Sequence, residues 1–430
     1  MRKRTVGSWM AAAAVVAGSL SFSVPVGAEG GLTLEERVER LERRGELPAA
    51  ANTDTSDLQR RLDQIEAHIK NLPFGIKLGG GIATSYMYDF NNPDSDNVSL
   101  RAFDRDSNSM VLDLFQLEVS RAPGEDGVGF VTKVNFGKLA ERMASDWDGN
   151  GTIGNVAEEQ NSIELEEAYI TYNPPGLPDF QVKAGKFVTL HGAEVIEPWR
   201  NANVSRSLQY TFAIPIGHVG ALASYAFSEQ VTAMLGIVNG WDNVVDSNDG
   251  KTVHGGVILT PVEQFSLAIM GIYGCEQPDN GYSKRGVADV VATIKPIDNF
   301  AITLNYDYGN ESGLGVGGNE QWNAVSGIVA YDLPDLLVVP IGFALRGEYF
   351  DDSDGTRLQS QLQPGDPGYG KYQNAWEVTG TFKVVLAEGL MFRTEYRYDS
   401  AQNNLYEDDS SGDDFRDSQQ TIAAELSYVF

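Results

Sequence analysis

This 430-residue chain is short of four things. It has one cysteine, Cys275, so it can form no internal disulfide. No CxxCH and no paired-cysteine motif is present, so neither covalent c-type haem nor a cysteine-held zinc is indicated. Basic residues are outnumbered, with 32 Lys and Arg against 60 Asp and Glu and a net charge of −28. Phosphate binding needs a basic footprint, so nucleic acid is excluded as a partner. The four histidines are His68, His191, His218 and His254, and no nucleophile motif accompanies them. A catalytic role is therefore not expected. Finally, after residue 28 no apolar run approaches the roughly 20 residues that a membrane helix requires. The remaining choices are a soluble protein outside the cytoplasm or a β-barrel.

The two ends favour export and a barrel. Arg2, Lys3 and Arg4 precede an apolar segment from Trp9 to Val26, and Val26-Gly27-Ala28 offers small residues for cleavage. Residues 1–28 thus read as a secretory signal. Without that segment's three basic residues, 29 basic and 60 acidic side chains remain, a net −31. The last residues, TIAAELSYVF, put Ile422, Ala424, Leu426, Tyr428 and Phe430 on one face of a strand. A chain that ends mid-strand on an aromatic fits a barrel whose last strand closes on its first and leaves no edge.

Residues 29–72 form a separate segment. Leu34, Val38 and Leu41 are spaced 4 and 3, and Leu58, Leu62, Ile65, Ile69 and Leu72 are spaced 4, 3, 4 and 3. That is a narrow a/d seam in two pieces around the linker GELPAAANTDTS. Short helices are marginal alone. A periplasmic coiled coil in a homotrimer is the expectation.

From Phe74 the period becomes 2. In GLMFRTEYRYDS, Leu390, Phe392, Thr394, Tyr396 and Tyr398 oppose Met391, Arg393, Glu395, Arg397 and Asp399. Similar alternation recurs in FAITLNYDYGN, GVGFVTKVNFGK and LLVVPIGFALRGEYF. Sixteen strands are predicted, starting near residues 76, 109, 127, 162, 179, 217, 230, 251, 265, 285, 299, 321, 336, 374, 389 and 419. Their connections alternate between short turns (NPPGLPD, FSEQ, PVEQ, KPIDN, DLPD, LAEG) and long loops near 91–108, 138–160, 191–216, 241–250, 351–372 and 400–417. Outer-membrane barrels show this asymmetry, with short turns in the periplasm and an even strand number. The predicted fold is therefore an all-β transmembrane barrel of about 16 antiparallel strands over residues 73–430. Outer-membrane lipid and lipopolysaccharide are the expected surroundings.

The connection His191–Gly220 is the third outer loop on this count. It mixes Glu194, Glu197, Arg200 and Arg206 with Val195, Ile196, Trp199, Leu208, Tyr210 and Phe212. Charge with apolar anchors suggests a loop folded inward. A barrel of this size leaves an aqueous lumen, which such a loop would narrow. Lys133, Lys183, Arg346, Arg393 and Arg397 on the strands oppose Glu348, Glu377 and Glu395. Read as pore-lining residues, they would set up a transverse field and govern which small hydrophilic solutes or ions pass. The acidic outer loops suggest weak cation preference. A barrel sheathing a periplasmic or electron-transfer partner protein is the alternative, although an inward loop would obstruct it.

The order GKF…GAEVIEP…SRSL…IPIGHVG resembles the OmpL-like β-barrel porin family. Gly185, Lys186, Phe187, Gly192, Glu194, Pro198, Ser205, Pro215, His218 and Gly220 carry the resemblance. It implies an outer-membrane channel and supplies neither a substrate nor a catalytic residue.

One loop offers a metal motif. In DWDGNGTIGNVAEE, Asp146, Asp148, Asn150 and Gly151 hold positions 1, 3, 5 and 6 of an EF-hand-like calcium loop, with Thr152 at position 7. Position 12 is Ala157, and Glu158 and Glu159 come late, so the motif is incomplete. Calcium in this outer loop is the one cofactor the sequence suggests; the competing reading is an acidic surface turn like DDSDG at 351–355.

Overall fold

The computed structural model describes residues 75–146, 163–277, 280–312, 319–333, 339–355, 357–358, 373–409 and 415–430. The expected signal segment, the coiled coil at 29–72 and most of the calcium motif (Asp148, Asn150, Thr152) lie outside these residues. Asp146 is described only as the last backbone position of a helix.

Alternation of apolar and polar residues drives the chain into strands, and the strands close on themselves. They are β1 (Lys77–Asp89), β2 (Ser109–Arg121), β3 (Val128–Phe136), β4 (Ile163–Tyr172), β5 (Phe180–Val188), β6 (Gly217–Ala226), β7 (Val231–Val238) and β8 (Thr252–Val262). The second half contributes β9 (Phe265–Cys275), β10 (Lys284–Ile297), β11 (Phe300–Ser312), β12 (Asn319–Asp332), β13 (Ile341–Asp352), β14 (Gln373–Ala387) and β15 (Leu390–Ala401). A two-residue pair, β16 (Tyr406–Glu407) with β17 (Phe415–Arg416), decorates the last outer loop before β18 (Ser418–Val429). Sixteen strands, β1 to β15 and β18, form one closed antiparallel barrel. Closure runs from Gly81 opposite Val429 to Asp89 opposite Thr421. Beyond it, Gly80 and Phe430 exchange backbone hydrogen bonds of 3.2 and 3.0 Å. No backbone edge is left for lipid to desolvate there.

The predicted strand starts hold within about two residues except for one. The thirteenth strand, expected from about 336, begins at Ile341, directly after Pro340, which has no N–H to give a ladder. The apolar rows face outward. Leu304, Tyr306, Phe343, Leu345, Tyr396, Ile422 and Leu426 are all exposed. Their neighbours Thr303, Asn305, Asp307, Arg346, Glu348, Arg393, Glu395 and Arg397 are buried on the inner face. A soluble fold would invert this arrangement; lipid outside the ribbon explains it.

A bulge breaks the alternation once where it matters. The register slips between Lys133 and Val134, which face Glu167 and Leu165, so Glu166 is the extra residue. Both Glu166 and Glu167 are consequently buried on the lumen side. The helix α1 (Lys138–Asp146) opens the second outer loop, packing Leu139, Ala140 and Met143 into the interior.

Candidate functional site

The loop between β5 and β6 is inside the barrel. From Ala193 to Ile216 nearly every residue is buried. Only short pieces are regular: one 3-10 turn at Pro198–Arg200 and one turn of π-helix at Gln209–Ala213. An irregular backbone buried this way leaves N–H and C=O groups without partners of its own, and each must be satisfied from elsewhere. The charged row of the barrel wall does this.

Arginines hold the loop's carbonyls. Arg393 donates to the carbonyls of Pro198, Asn201 and Asn203 at 2.9, 2.7 and 3.0 Å. Arg346 donates to Ser205 O at 2.7 Å and pairs with Glu194 at 2.8 Å and Glu377 at 2.7 Å. Arg397 donates to Arg206 O at 2.6 Å and pairs with Asp399 at 2.6 Å. Glutamates hold the loop's amides. Glu395 accepts from the N–H groups of Val204 and Ser205 at 2.6 and 2.9 Å. Glu348 accepts from Leu208 and Gln209 at 2.6 and 2.9 Å. Further along the wall, Asp289 accepts from Gly192 N–H and Asn305 from Ala193 N–H, both at 3.1 Å. Hydrogen bonds to charged groups are about twice as strong as neutral ones. The loop is thus clamped from β10, β11, β13 and β15.

This revises the roles read from the sequence. Arg346, Glu348, Glu377, Arg393, Glu395 and Arg397 do face inward, but loop and neighbours cover them, and each is at most 7% exposed. Their heads end on loop backbone and on one another, not in open water. Arg206, expected as a pore-lining or constriction residue, staples the loop to itself through the carbonyls of Val195, Ile196 and Val204. Glu194 accepts from Ser207 N–H at 2.9 Å besides pairing with Arg346. Alternation predicts which face a side chain takes; it carries no information about what fills the lumen.

On the opposite wall, Lys133 sits among Glu197, Glu167 and Glu166 at 2.6, 3.0 and 3.4 Å. Arg200 reaches Glu197 at 3.3 Å. Burial pushes the Glu197 carboxyl up, but Lys133 and Arg200 outweigh it and hold it below the usual carboxylate range. Trp199 beneath lies against Gly81 of β1: a Cβ there would meet the indole at 2.8 Å. At the loop's exit, Asp242 accepts from the N–H groups of Ile216 and Gly217 at 2.7 and 2.9 Å.

The structure also assembles residues that no local spacing connects. His191, His218 and His254 cluster: the His191 and His254 rings stack with centroids 5.1 Å apart, and the His218 ring tilts against His254 at 4.5 Å. Thr189 Oγ1 lies 3.1 Å from His191 Nδ1 and 3.2 Å from His218 Nε2. Both ring nitrogens of His254 and Nε2 of His191 are buried without a hydrogen-bond partner among the described residues. Among those residues, no group of three or more His, Cys, Asp or Glu is arranged to hold a metal ion. The first outer loop folds in too, burying Val98, Leu100, Arg101 and Phe103, with Arg101 pairing Asp399 at 2.8 Å.

Below the loop a cavity of about 440 Å³ remains. It reaches the short-turn end at Arg121–Pro123 and stops against His191, Tyr210 and Ile216. Five basic and four acidic side chains line it, Lys183 among the first.

An apolar exterior, a closed ribbon, a charged interior and a long loop folded into the lumen define an outer-membrane barrel of the porin class. The chain belongs to the family described as Putative beta-barrel porin-2, OmpL-like, whose model matches residues 75–430. No curated protein matches the sequence. Among solved structures it is similar to the outer membrane channel DcaP of Acinetobacter baumannii (13% identity, TM-score 0.52, covering 83% of this chain and 97% of that one). It is also similar to OprB of Pseudomonas putida (11%, 0.53, 86% and 96%). A third is the trimer form of in-vitro folded OmpT of Vibrio cholerae (11%, 0.52, 83% and 99%). At such identities the likeness is one of fold. The protein is located in the outer membrane.

Proposed function

We propose that the protein is a porin-type channel for passive diffusion of small hydrophilic solutes and ions, with loop 191–216 as the element that governs passage. The observation that carries this reading is the clamp: charged side chains from three strands, with Asn305 from a fourth, hold the loop's backbone inside the lumen. A loop fixed this firmly acts as a fixed constriction instead of a drifting lid. It also occupies the room that a sheathed partner protein would need.

Selectivity is read as weak. The surplus of 60 acidic over 32 basic residues enriches cations near the protein. The cavity beneath the loop, with five basic side chains to four acidic ones, opposes that bias. A slight cation preference is the net expectation. Assembly as a homotrimer follows the earlier reading of the N-terminal segment, and the trimer form of OmpT offers a precedent for the fold. The test is single-channel recording in planar bilayers with a potassium chloride gradient. A small conductance with a reversal potential slightly on the cation side supports the reading. Silence across many insertions, or a clear anion preference, contradicts it.

A further inference from the structure

The cavity beneath the loop treats its two inward lysines differently. Lys133 is surrounded by three glutamates within 3.4 Å. Lys183, on β5, has no hydrogen bond or ion pair among the described residues. Its ammonium instead lies 4.3 Å from the centroid of the Phe187 ring and 5.0 Å from that of Tyr169. Ring faces attract the cation but leave its three N–H donors unfilled. The nearest acid along the wall, Glu167, is engaged elsewhere, by Lys133 at 3.0 Å and by the N–H of Val188 at 3.3 Å. Across the cavity, Glu194 and Glu197 are held by Arg346 and by Lys133 with Arg200. Of the four acids that line the cavity, these three are engaged; the fourth, Glu118, stands near Tyr169 and makes no ion pair with Lys183.

Apolar side chains line the cavity beside that ammonium, along with the polar Thr171 paired opposite it on β4. Leu190, Leu222 and Met234 line the same cavity as Lys183 and Tyr169, and Leu222 and Met234 pack with Phe187. A donor-only cation set in an apolar, aromatic wall is complementary to an anion that carries an apolar body. The cavity's volume, about 440 Å³, lies within the range of small-molecule sites, roughly 300–1,000 Å³.

We propose that Lys183, Tyr169 and Phe187 form a binding subsite in the lumen for a small carboxylate with an aromatic or similarly apolar body. The carboxylate accepts from the Lys183 ammonium and displaces water from it. The apolar body lies along Leu190, Leu222 and Met234. This names a solute class for the channel proposed above and rests on that reading for the route by which the solute arrives. Binding itself does not depend on conduction.

The test is therefore an equilibrium one, on the full protein in detergent. Binding of 4-fluorobenzoate, 4-fluorobenzyl alcohol and fluoroacetate is followed by fluorine NMR. One charge-assisted hydrogen bond in a partly desolvated site corresponds to about tenfold or more in affinity. Fluorobenzoate is expected to bind at least tenfold tighter than either the alcohol or fluoroacetate. Lys183→Met should abolish that advantage and Lys183→Arg should retain most of it. Folding of each variant is checked by heat-modifiable migration in gels. Equal affinity for the acid and the alcohol, or a folded Lys183→Met protein that binds fluorobenzoate like the wild type, overturns the proposal. Should Lys183→Met fail to fold, the wild-type comparison of the three probes decides alone. Binding without conductance in bilayers would overturn the channel reading and leave the subsite standing. Conductance without binding would do the reverse.

Discussion

The clamp can be loosened at a single point, Arg393. Its guanidinium holds three loop carbonyls and pairs with Glu425 at 2.6 Å. Removing the arginine alone would strand a buried carboxylate and risk the whole barrel. The double variant Arg393→Met, Glu425→Gln removes cation and anion together and keeps the side-chain volumes similar. Hydrogen bonds to charged groups contribute about 1.5–3 kcal/mol each, so three give a nominal sum of roughly 5–9 kcal/mol. Water can reach some of the freed carbonyls, and such contributions do not add fully. A net loosening of about 4 kcal/mol is a reasonable expectation. That corresponds to roughly a thousandfold rise in the population with this part of the loop displaced. Two assays read it. Single-channel recordings should show a larger mean conductance and more flicker than the wild type. Trypsin should cut after Arg200 or Arg206, of which Arg206 is now only 3% exposed. Heat-modifiable migration confirms that the barrel is intact. A folded double variant with unchanged conductance and unchanged resistance to trypsin would refute the idea that wall charges hold the loop.

Two further outcomes follow from single groups. Because both ring nitrogens of His254 are buried without partners, His254→Leu should leave the unfolding midpoint in urea unchanged or raise it by the equivalent of about 1–3 kcal/mol; a clear loss of stability would show that the imidazole is needed where it stands. At the loop's exit, burial pushes the Asp242 carboxyl up from 3.8 to about 6, against the pull of the Gly217 and Ile216 N–H groups. A carboxyl raised in the folded state favours folding as the pH drops from about 6 toward 4, and its ionisation costs stability above that window. Asp242→Asn should therefore be more stable than the wild type at pH 7.5, by up to about 3 kcal/mol, with the difference vanishing below pH 4; an equal difference at both pH values, read from urea unfolding followed by tryptophan fluorescence, would contradict the assignment.

Much of the barrel was legible because its physics is local. Period-2 alternation, short turns rich in Pro, Asp and Gly, and long loops between them located all sixteen strands. The lipid-facing row containing Leu390, Phe392 and Tyr396 also came out on the correct side. The site was legible only in part. That loop 191–216 turns inward could be argued from Trp199, Leu208 and Phe212 among charges. That Arg346, Arg393 and Arg397 would end on its carbonyls could not, because a backbone acceptor leaves no trace in residue identity. The bulge at Glu166 was hidden for a related reason: one extra residue in β4 changes the face of a side chain without changing composition. The histidine cluster joins His191 of the inward loop to His218 on β6 and His254 on β8, two strands apart, and no local spacing announces it. The inward fold of Val98–Phe103 was missed because that stretch, set among Asp and Asn, reads as a solvated loop.

Hydrogen–deuterium exchange on the refolded protein in micelles tests the central claim most directly. The backbone amides of Val204, Ser205, Ser207, Leu208 and Gln209 each donate to a buried carboxylate of Glu395, Glu194 or Glu348. Peptides spanning 203–211 should exchange as slowly as those of β13, far more slowly than an ordinary surface connection. Exchange of that stretch within seconds would mean that the loop stands outside the lumen, and the wall charges would then have nothing to hold.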